Sequence, residues 1–196
     1  MARDIRGLLL CGGAATRFGA DKLLAGEKPI VVEAARRLVA GAGNALAIIP
    51  LGREALRRAL EPLGCEVLET DRTASGMGGS LVAGVLATVR ADGWIVALGD
   101  MPCVRIETIA AIAAALREGA TIALPVGVHG RRGHPVGFAA SLRDELLALG
   151  GDVGARSVVA RHADAVREVA TDDPGIFIDI DTPEDLRRIQ PGDAPR

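Results

Sequence analysis

The chain has 196 residues, 49% of them hydrophobic, which suits one α/β domain with one core, expected over residues 1–189 with 190–196 as a flexible tail. A formal net charge of −2 gives no basis for a nucleic-acid or anionic-membrane partner. No apolar run reaches the ~20 residues of a membrane span, and no charged-then-apolar leader stands at the start.

The first predicted element is a buried strand through Ile5, Leu8, Leu9 and Leu10, stopped at Gly12-Gly13. A loop of small residues comes after it and carries Arg17, Gly19 and Lys22. Bare backbone N–H groups at Gly12, Gly13 and Ala14, next to two fixed cations, are what a polyphosphate requires. The spacing from Gly13 to Gly19 and the position of Lys22 do not make a Walker A loop, and Gly12-Gly13-Ala14 does not open a Rossmann fingerprint. Lysine is rare here, with Lys22 and Lys28 the only two, and the second is expected on an exposed turn before Pro29.

Strands and helices then alternate. A helical pattern through Val32, Ala35 and Val39 leads to a strand at Leu46–Ile49, a helix at Ala55–Leu60 and a strand at Glu66–Leu68. Helix Leu81–Val89, strand Trp94–Leu98, helix Ile106–Leu116 and strand Thr121–Leu124 come next. Glycines 127, 130 and 133 around His129 and His134 interrupt the rhythm and predict a small antiparallel insertion over Val126–Phe138. Helices Leu142–Leu149 and Ala155–His162, strand Ala165–Val169, a turn at Asp172–Gly175 and a strand at Ile176–Ile180 complete the pattern. Thr182 is placed to cap a last helix with Pro183 at its first position. Such alternation predicts a three-layer α/β fold, a mostly parallel sheet with helices on both faces. Cys11, Cys65 and Cys103 are odd in number and far apart, so small core thiols in a reducing cytoplasm are expected.

Ligands of open parallel sheets sit beyond the carboxyl ends of the strands. Strand Trp94–Leu98 delivers Asp100 to that edge in the turn Gly99-Asp100-Met101-Pro102. A carboxylate beside a triphosphate is repulsive unless a divalent cation lies between, and Mg²⁺ takes one or two carboxylates plus phosphate oxygens and water. Asp179 and Asp181 alternate with Ile178 and Ile180, so both acids share one face of a strand end and either one is a candidate second ligand. Glu184 and Asp185 fall in the first helical turn, where acids favour the helix dipole.

Leu8–Lys22 resembles the signature loop of nucleotidyltransferases that activate sugars and cofactors, with Cys11 and Gly12 replacing a usual pair of alanines and Ala15 a usual serine. With Gly99–Pro102 and Asp179–Leu186 the resemblance extends to the MobA-like nucleotidyltransferase group. Ser75–Leu81 looks like the base-and-ribose loop of the branch that includes molybdenum cofactor cytidylyltransferase; Gly133-His134-Pro135 with Phe138, and Gly151–Arg156, look like its substrate-side motifs. The resemblance implies a Rossmann-like nucleotidyltransferase fold and transfer of CMP from CTP onto molybdenum-bearing molybdopterin with release of pyrophosphate, the cofactor so made serving molybdenum hydroxylase maturation. It implies Arg17, Lys22 and Asp100 as catalytic, and Cys11, Gly12, Gly13, Ala14, Arg17, Lys22, Gly78, Ser80 and Asp100 as nucleotide-binding. His134, Pro135 and Phe138 would bind the acceptor. Asp100 with Asp181 or Asp179 would hold Mg²⁺, with Mn²⁺ as an alternative ion. Partners are then CTP or GTP, a molybdopterin-type acceptor and an apo molybdenum hydroxylase. Rival expectations are a guanylyltransferase, a relative with another phosphorylated acceptor, and a non-catalytic cofactor-insertion factor. A nicotinamide oxidoreductase fits worst, for want of the dinucleotide fingerprint.

Overall fold

The computed structural model describes residues 3–12, 21–150 and 154–189, and within them the strands form one seven-stranded sheet. They are β1 (Ile5–Leu10), β2 (Ala45–Pro50), β3 (Cys65–Thr70), β4 (Gly93–Leu98), β5 (Ile122–Val126), β6 (Val136–Ala139) and β7 (Val166–Ala170). The α-helices are α1 (Ile30–Ala42), α2 (Glu54–Leu60), α3 (Gly76–Ala87), α4 (Ile106–Arg117), α5 (Arg143–Leu147), α6 (Arg156–Arg161) and α7 (Pro183–Arg188). Strand order is β3-β2-β1-β4-β6-β5-β7. All neighbouring pairs are parallel except those of β6, which runs antiparallel to both β4 and β5.

Residues two apart on a strand share a face, and the two faces carry different helices. Ile5, Leu9, Ala47, Ile49 and Ile95 pack with Leu38 of α1, Leu60 of α2 and Ile112 of α4. Leu8, Leu10, Ile48, Trp94 and Val96 pack with Leu81 of α3, Leu146 of α5 and Val158 of α6. The expected three-layer architecture is therefore present. Among the described residues no helix is long and apolar enough to cross a membrane.

The expected antiparallel insertion is present, and its strand β6 lies inside the sheet, with Phe138 opposite Trp94 on one side and Ile122 on the other. Two local features differ from the sequence reading. Helix α3 begins at Gly76, five residues before the expected start. Its glycines are there for close approach, since a Cβ on Gly79 would lie 2.2 Å from the Arg72 carbonyl oxygen. The segment 176–180 forms no strand; Pro174–Phe177 is a 3₁₀ turn, and Ile180 then donates its N–H to the Asp100 carbonyl at 2.9 Å. Its alternation of buried Ile180 with exposed Asp179 and Asp181 is real, but it belongs to a strap lying across the strand ends. Just beyond, Thr182 caps α7 as expected: its hydroxyl accepts from the Asp185 N–H at 3.2 Å, and the Asp185 carboxylate accepts from the Thr182 N–H at 2.9 Å.

Candidate active site

Parallel strands end on the same edge, so β1 and β4 deliver Cys11-Gly12 and Gly99-Asp100 side by side. The Gly99 N–H donates to the Leu10 carbonyl at 2.9 Å and fixes their separation. Because β6 is antiparallel, its amino end lies at this same edge, and His134 precedes it by two residues. The strap brings Asp181 there from the far side of the sheet. Lys22, opening a 3₁₀ turn over Lys22–Leu24, completes the group.

The Lys22 ammonium donates to Asp100 Oδ2 at 2.8 Å and to Asp181 Oδ1 at 2.9 Å. Its side chain is only 13% exposed, against 27% for Asp100 and 50% for Asp181, so the three charges meet where water is thinning toward the sheet. Burial by itself would lower the pKa of Lys22, but the hydrogen bonds to Asp100 and then Asp181 outweigh it and hold the pKa above the ordinary lysine value. Two carboxylates are thus aimed at one cation-sized point. Asp179 is exposed, and its charge acts to raise the pKa of His134.

The donor set fits a divalent ion of the hard, oxygen-seeking kind. Asp100 and Asp181 supply two carboxylates, and among the described residues no group of three or more His, Cys, Asp or Glu side chains could hold a metal. Two carboxylates with the remaining positions left to phosphate and water is the arrangement in which Mg²⁺ or Mn²⁺ binds with a nucleotide.

His134 is anchored by its backbone N–H, which donates to the Ile176 carbonyl at 3.0 Å, and the His134–Pro135 peptide is cis. Its Nδ1 is buried, with no hydrogen-bond partner among the described residues. Burial lowers its pKa below the ordinary histidine value, with Asp100 and Asp179 pulling the other way, and the shift favours the neutral ring. Pro135 is buried beside it. A neutral ring with an unpaired polar nitrogen is suited to exchanging a hydrogen bond with a bound molecule.

Other expected contacts stand elsewhere. The Phe138 ring is fully buried with Trp94, Ile122 and Leu146, because its place on a central strand points it into the core; it has no face for an acceptor. Cys11 donates its N–H to the Ile48 carbonyl at 3.0 Å, and its thiol is buried, with burial raising the pKa far above the usual thiol range. Neither group of Cys11 is available to a nucleotide. Ser80 is also fully buried; its hydroxyl donates to the Gly76 carbonyl at 3.3 Å and lies under Gly12. A Cβ on Gly12 would come within 2.7 Å of that hydroxyl, so Gly12 is what lets the end of β1 rest on the first turns of α3. Gly78 is buried in those same turns. Ser80 and Gly78 therefore shape the floor under Gly12 instead of reaching an open base pocket. The exposed side chain nearest their position in sequence is Met77.

Gly13, Ala14, Arg17, Phe18 and Gly151–Val153 lie outside the described residues, as does 190–196. Two contributors escaped the sequence reading. Arg53 pairs with Asp21 next to Lys22, and no local motif announces it because it joins residues 32 apart. Asp173 is the other; the Asp173-Pro174-Gly175 turn signal marked its place but not its burial.

The model of the MobA-like NTP transferase domain matches residues 7–166. Molybdenum cofactor guanylyltransferase of Cupriavidus pinatubonensis is 31% identical, with 96% of this chain and 98% of that protein covered. Nicotine blue oxidoreductase of Paenarthrobacter nicotinovorans is 29% identical, with 94% and 96% covered. The crystal structure of Rv0371c from Mycobacterium tuberculosis superposes with a TM-score of 0.80 at 30% identity, covering 96% of this chain and 97% of that one. A complex of the same protein with manganese gives a TM-score of 0.74 at 29% identity over 94% and 97%.

Proposed function

Since this chain belongs to the MobA-like NTP transferase family, and so is a nucleotidyltransferase, we propose that it moves CMP from CTP onto the terminal phosphate of molybdenum-bearing molybdopterin and releases pyrophosphate. The convergence of Asp100 and Asp181 on one point, beside Gly12 at the ends of β1 and β4, is the observation that supports this most. The likeness to molybdenum cofactor guanylyltransferase supports the class of acceptor. The product would serve an apo molybdenum hydroxylase.

In-line attack of an acceptor phosphate on the α-phosphorus brings two anions together, so catalysis is mainly positioning and charge neutralisation. Asp100 and Asp181 would hold Mg²⁺, or Mn²⁺ as in the related crystal structure, which neutralises and polarises the α-phosphate when bound. Lys22, drawn off the two carboxylates, holds the β- and γ-phosphates that leave, together with Arg17. Gly12, Gly13 and Ala14 present the backbone to the phosphates. His134, kept neutral, orients the acceptor through one ring nitrogen, with Pro135 fixing the turn beneath it. An acceptor phosphate that arrives ionised needs no general base.

Asp181, not Asp179, is the second ligand on this reading. Asp181→Asn is expected to raise the Mg²⁺ concentration needed for half-maximal turnover by at least about tenfold, since loss of even an outer-shell partner costs about 10–100-fold in metal affinity. Asp179→Asn should change it by less than about twofold, because an exposed charge contributes little. The reverse ranking in one Mg²⁺ titration would exchange their roles.

Preference for cytosine is supported by the acids near α3. None lies within Gly76–Ser80, and the acid that could still pair with the guanine N1–H and amino group is Asp71, exposed in the turn just before α3. Glu69, close by in sequence, is held by Arg57 at 3.1 Å and accepts from the Gly52 N–H. Pyrophosphate release with each nucleotide and the same acceptor tests this. CTP should be favoured by at least ~10-fold in kcat/KM, a difference of only ~1.4 kcal/mol. Equal or better use of GTP would move the protein to the guanylyltransferase reading that its 31% identical relative favours.

A further inference from the structure

We propose that Asp173, a residue outside the site, is the positioning residue that sets both Asp181 and His134 by clamping the strap 171–181 onto the turn after β4. Asp173 is 2% exposed and its carboxylate is saturated with donors. Oδ2 accepts from the Arg105 N–H at 2.7 Å and the Thr108 hydroxyl at 2.8 Å, and Oδ1 accepts from the Gly175 N–H at 2.8 Å. Such a buried charge is stable only because every donor is in place. The first two donors belong to the entry of α4, and the third belongs to the strap itself. The carboxylate therefore joins the two.

Downstream of Asp173 the chain has almost no freedom. A Cβ on Gly175 would lie 2.1 Å from the Cys103 carbonyl oxygen, so the strap meets the β4–α4 turn backbone to backbone. The next residue, Ile176, accepts the His134 N–H at 3.0 Å, and the fully buried Ile180 donates to the Asp100 carbonyl at 2.9 Å. Asp181 then reaches Lys22. One segment thus holds the backbone of His134, the backbone of Asp100 and the side chain of Asp181, and Asp173 is its upstream fastening. Upstream, the Thr171 N–H donates to the Val126 carbonyl of β5 at 3.0 Å, and between that point and Gly175 the Asp173 carboxylate is the buried side-chain tie that fastens the strap to the entry of α4.

The catalytic consequence rests on the reading of Asp181 as a metal ligand, whereas the clamp itself does not. Asp173→Asn keeps the shape but sets an NH₂ donor against either the Gly175 N–H or the Arg105 and Thr108 donors, so the three bonds can no longer all be made. Two measurements on the intact protein separate positioning from mere stability. Backbone hydrogen exchange at His134 and Ile180, well below the melting temperature, should quicken by at least about tenfold in the variant, while Leu9 and Ile48 in the central strands exchange as before. Binding of Mn²⁺ in the presence of CTP, followed by the paramagnetic signal of the free ion without turnover, should weaken by about tenfold. Thr108→Val, which removes one donor and keeps the volume, should move both readouts the same way by a smaller factor, and it serves if Asp173→Asn fails to fold. A lower melting temperature with unchanged exchange at His134 and Ile180 would overturn the clamp. Quickened exchange with unchanged Mn²⁺ binding would keep the clamp and overturn the role given to Asp181. Failure of the wild type to bind Mn²⁺ with CTP would count against the proposed function and leave the exchange result to decide on Asp173.

Discussion

Lys22→Ala is expected to move the affinities for two ligands in opposite directions. Nucleoside triphosphate should bind about 10- to 150-fold more weakly, from the ~1.5–3 kcal/mol of a charge-assisted phosphate contact, while nucleoside monophosphate is affected by less than about threefold. In the ligand-free protein, however, the ammonium neutralises Asp100 and Asp181 at 2.8 and 2.9 Å and so stands where a divalent cation would bind. Removing it should tighten Mn²⁺ binding without nucleotide by about tenfold, the equivalent of releasing two partly screened ion pairs of ~0.5–1 kcal/mol each. Calorimetry on CMP, CTP and Mn²⁺ separately checks all three. Equal weakening of CMP and CTP would show that Lys22 does not hold the leaving phosphates. Unchanged Mn²⁺ affinity would show that the ion binds elsewhere.

Asp100→Asn should produce the largest loss of turnover, about 10²–10³-fold in kcat, because the developing charge at the α-phosphate loses its main counter-charge. The fold should be intact. What Asp100 gives the architecture is its backbone carbonyl, which accepts from the Ile180 N–H and is unaffected by the substitution. Circular dichroism and a thermal melt report on the second point, and steady-state rates at saturating Mg²⁺ report on the first. Wild-type turnover in this variant would remove Asp100 from the mechanism.

Strands β1, β2 and β4 were legible because they are buried on both faces and therefore written as near-continuous apolar runs. Strand β6 was not: four residues, VGFA, interrupted by Gly137, carry no periodicity, and nothing local says that they slot between β4 and β5. Gly137 is itself a packing requirement, since a Cβ there would meet Ile112 of α4 at 2.8 Å. The same holds for α3, whose opening glycines read as a flexible loop because glycine disfavours helix, although here they allow backbone contact. The alternation from Ile178 to Asp181 correctly gave which side chains are buried, but burial alternation does not say whether a ladder partner exists. Within the site, charge and spacing pointed to Lys22, Asp100 and one of Asp179 and Asp181 as residues to bring together, without choosing between the last two. The meeting of Lys22 with Asp181, 159 residues away, depends on the strap and on the buried Asp173, which no local pattern encodes. Phe138, Cys11 and Ser80 were drawn into the site by motif and pulled out of it by burial: each sits where apolar or backbone partners already claim it.

The measurement that addresses the proposed activity most directly is transfer of label from CTP labelled at the α-phosphate, incubated with Mg²⁺ and molybdenum-loaded molybdopterin. Label should appear on the pterin, one pyrophosphate should be released for each label transferred, and Asp100→Asn should slow both together by about 10²–10³-fold. Hydrolysis of CTP to CMP with no labelled pterin, or no consumption of any nucleoside triphosphate with this acceptor, would contradict it.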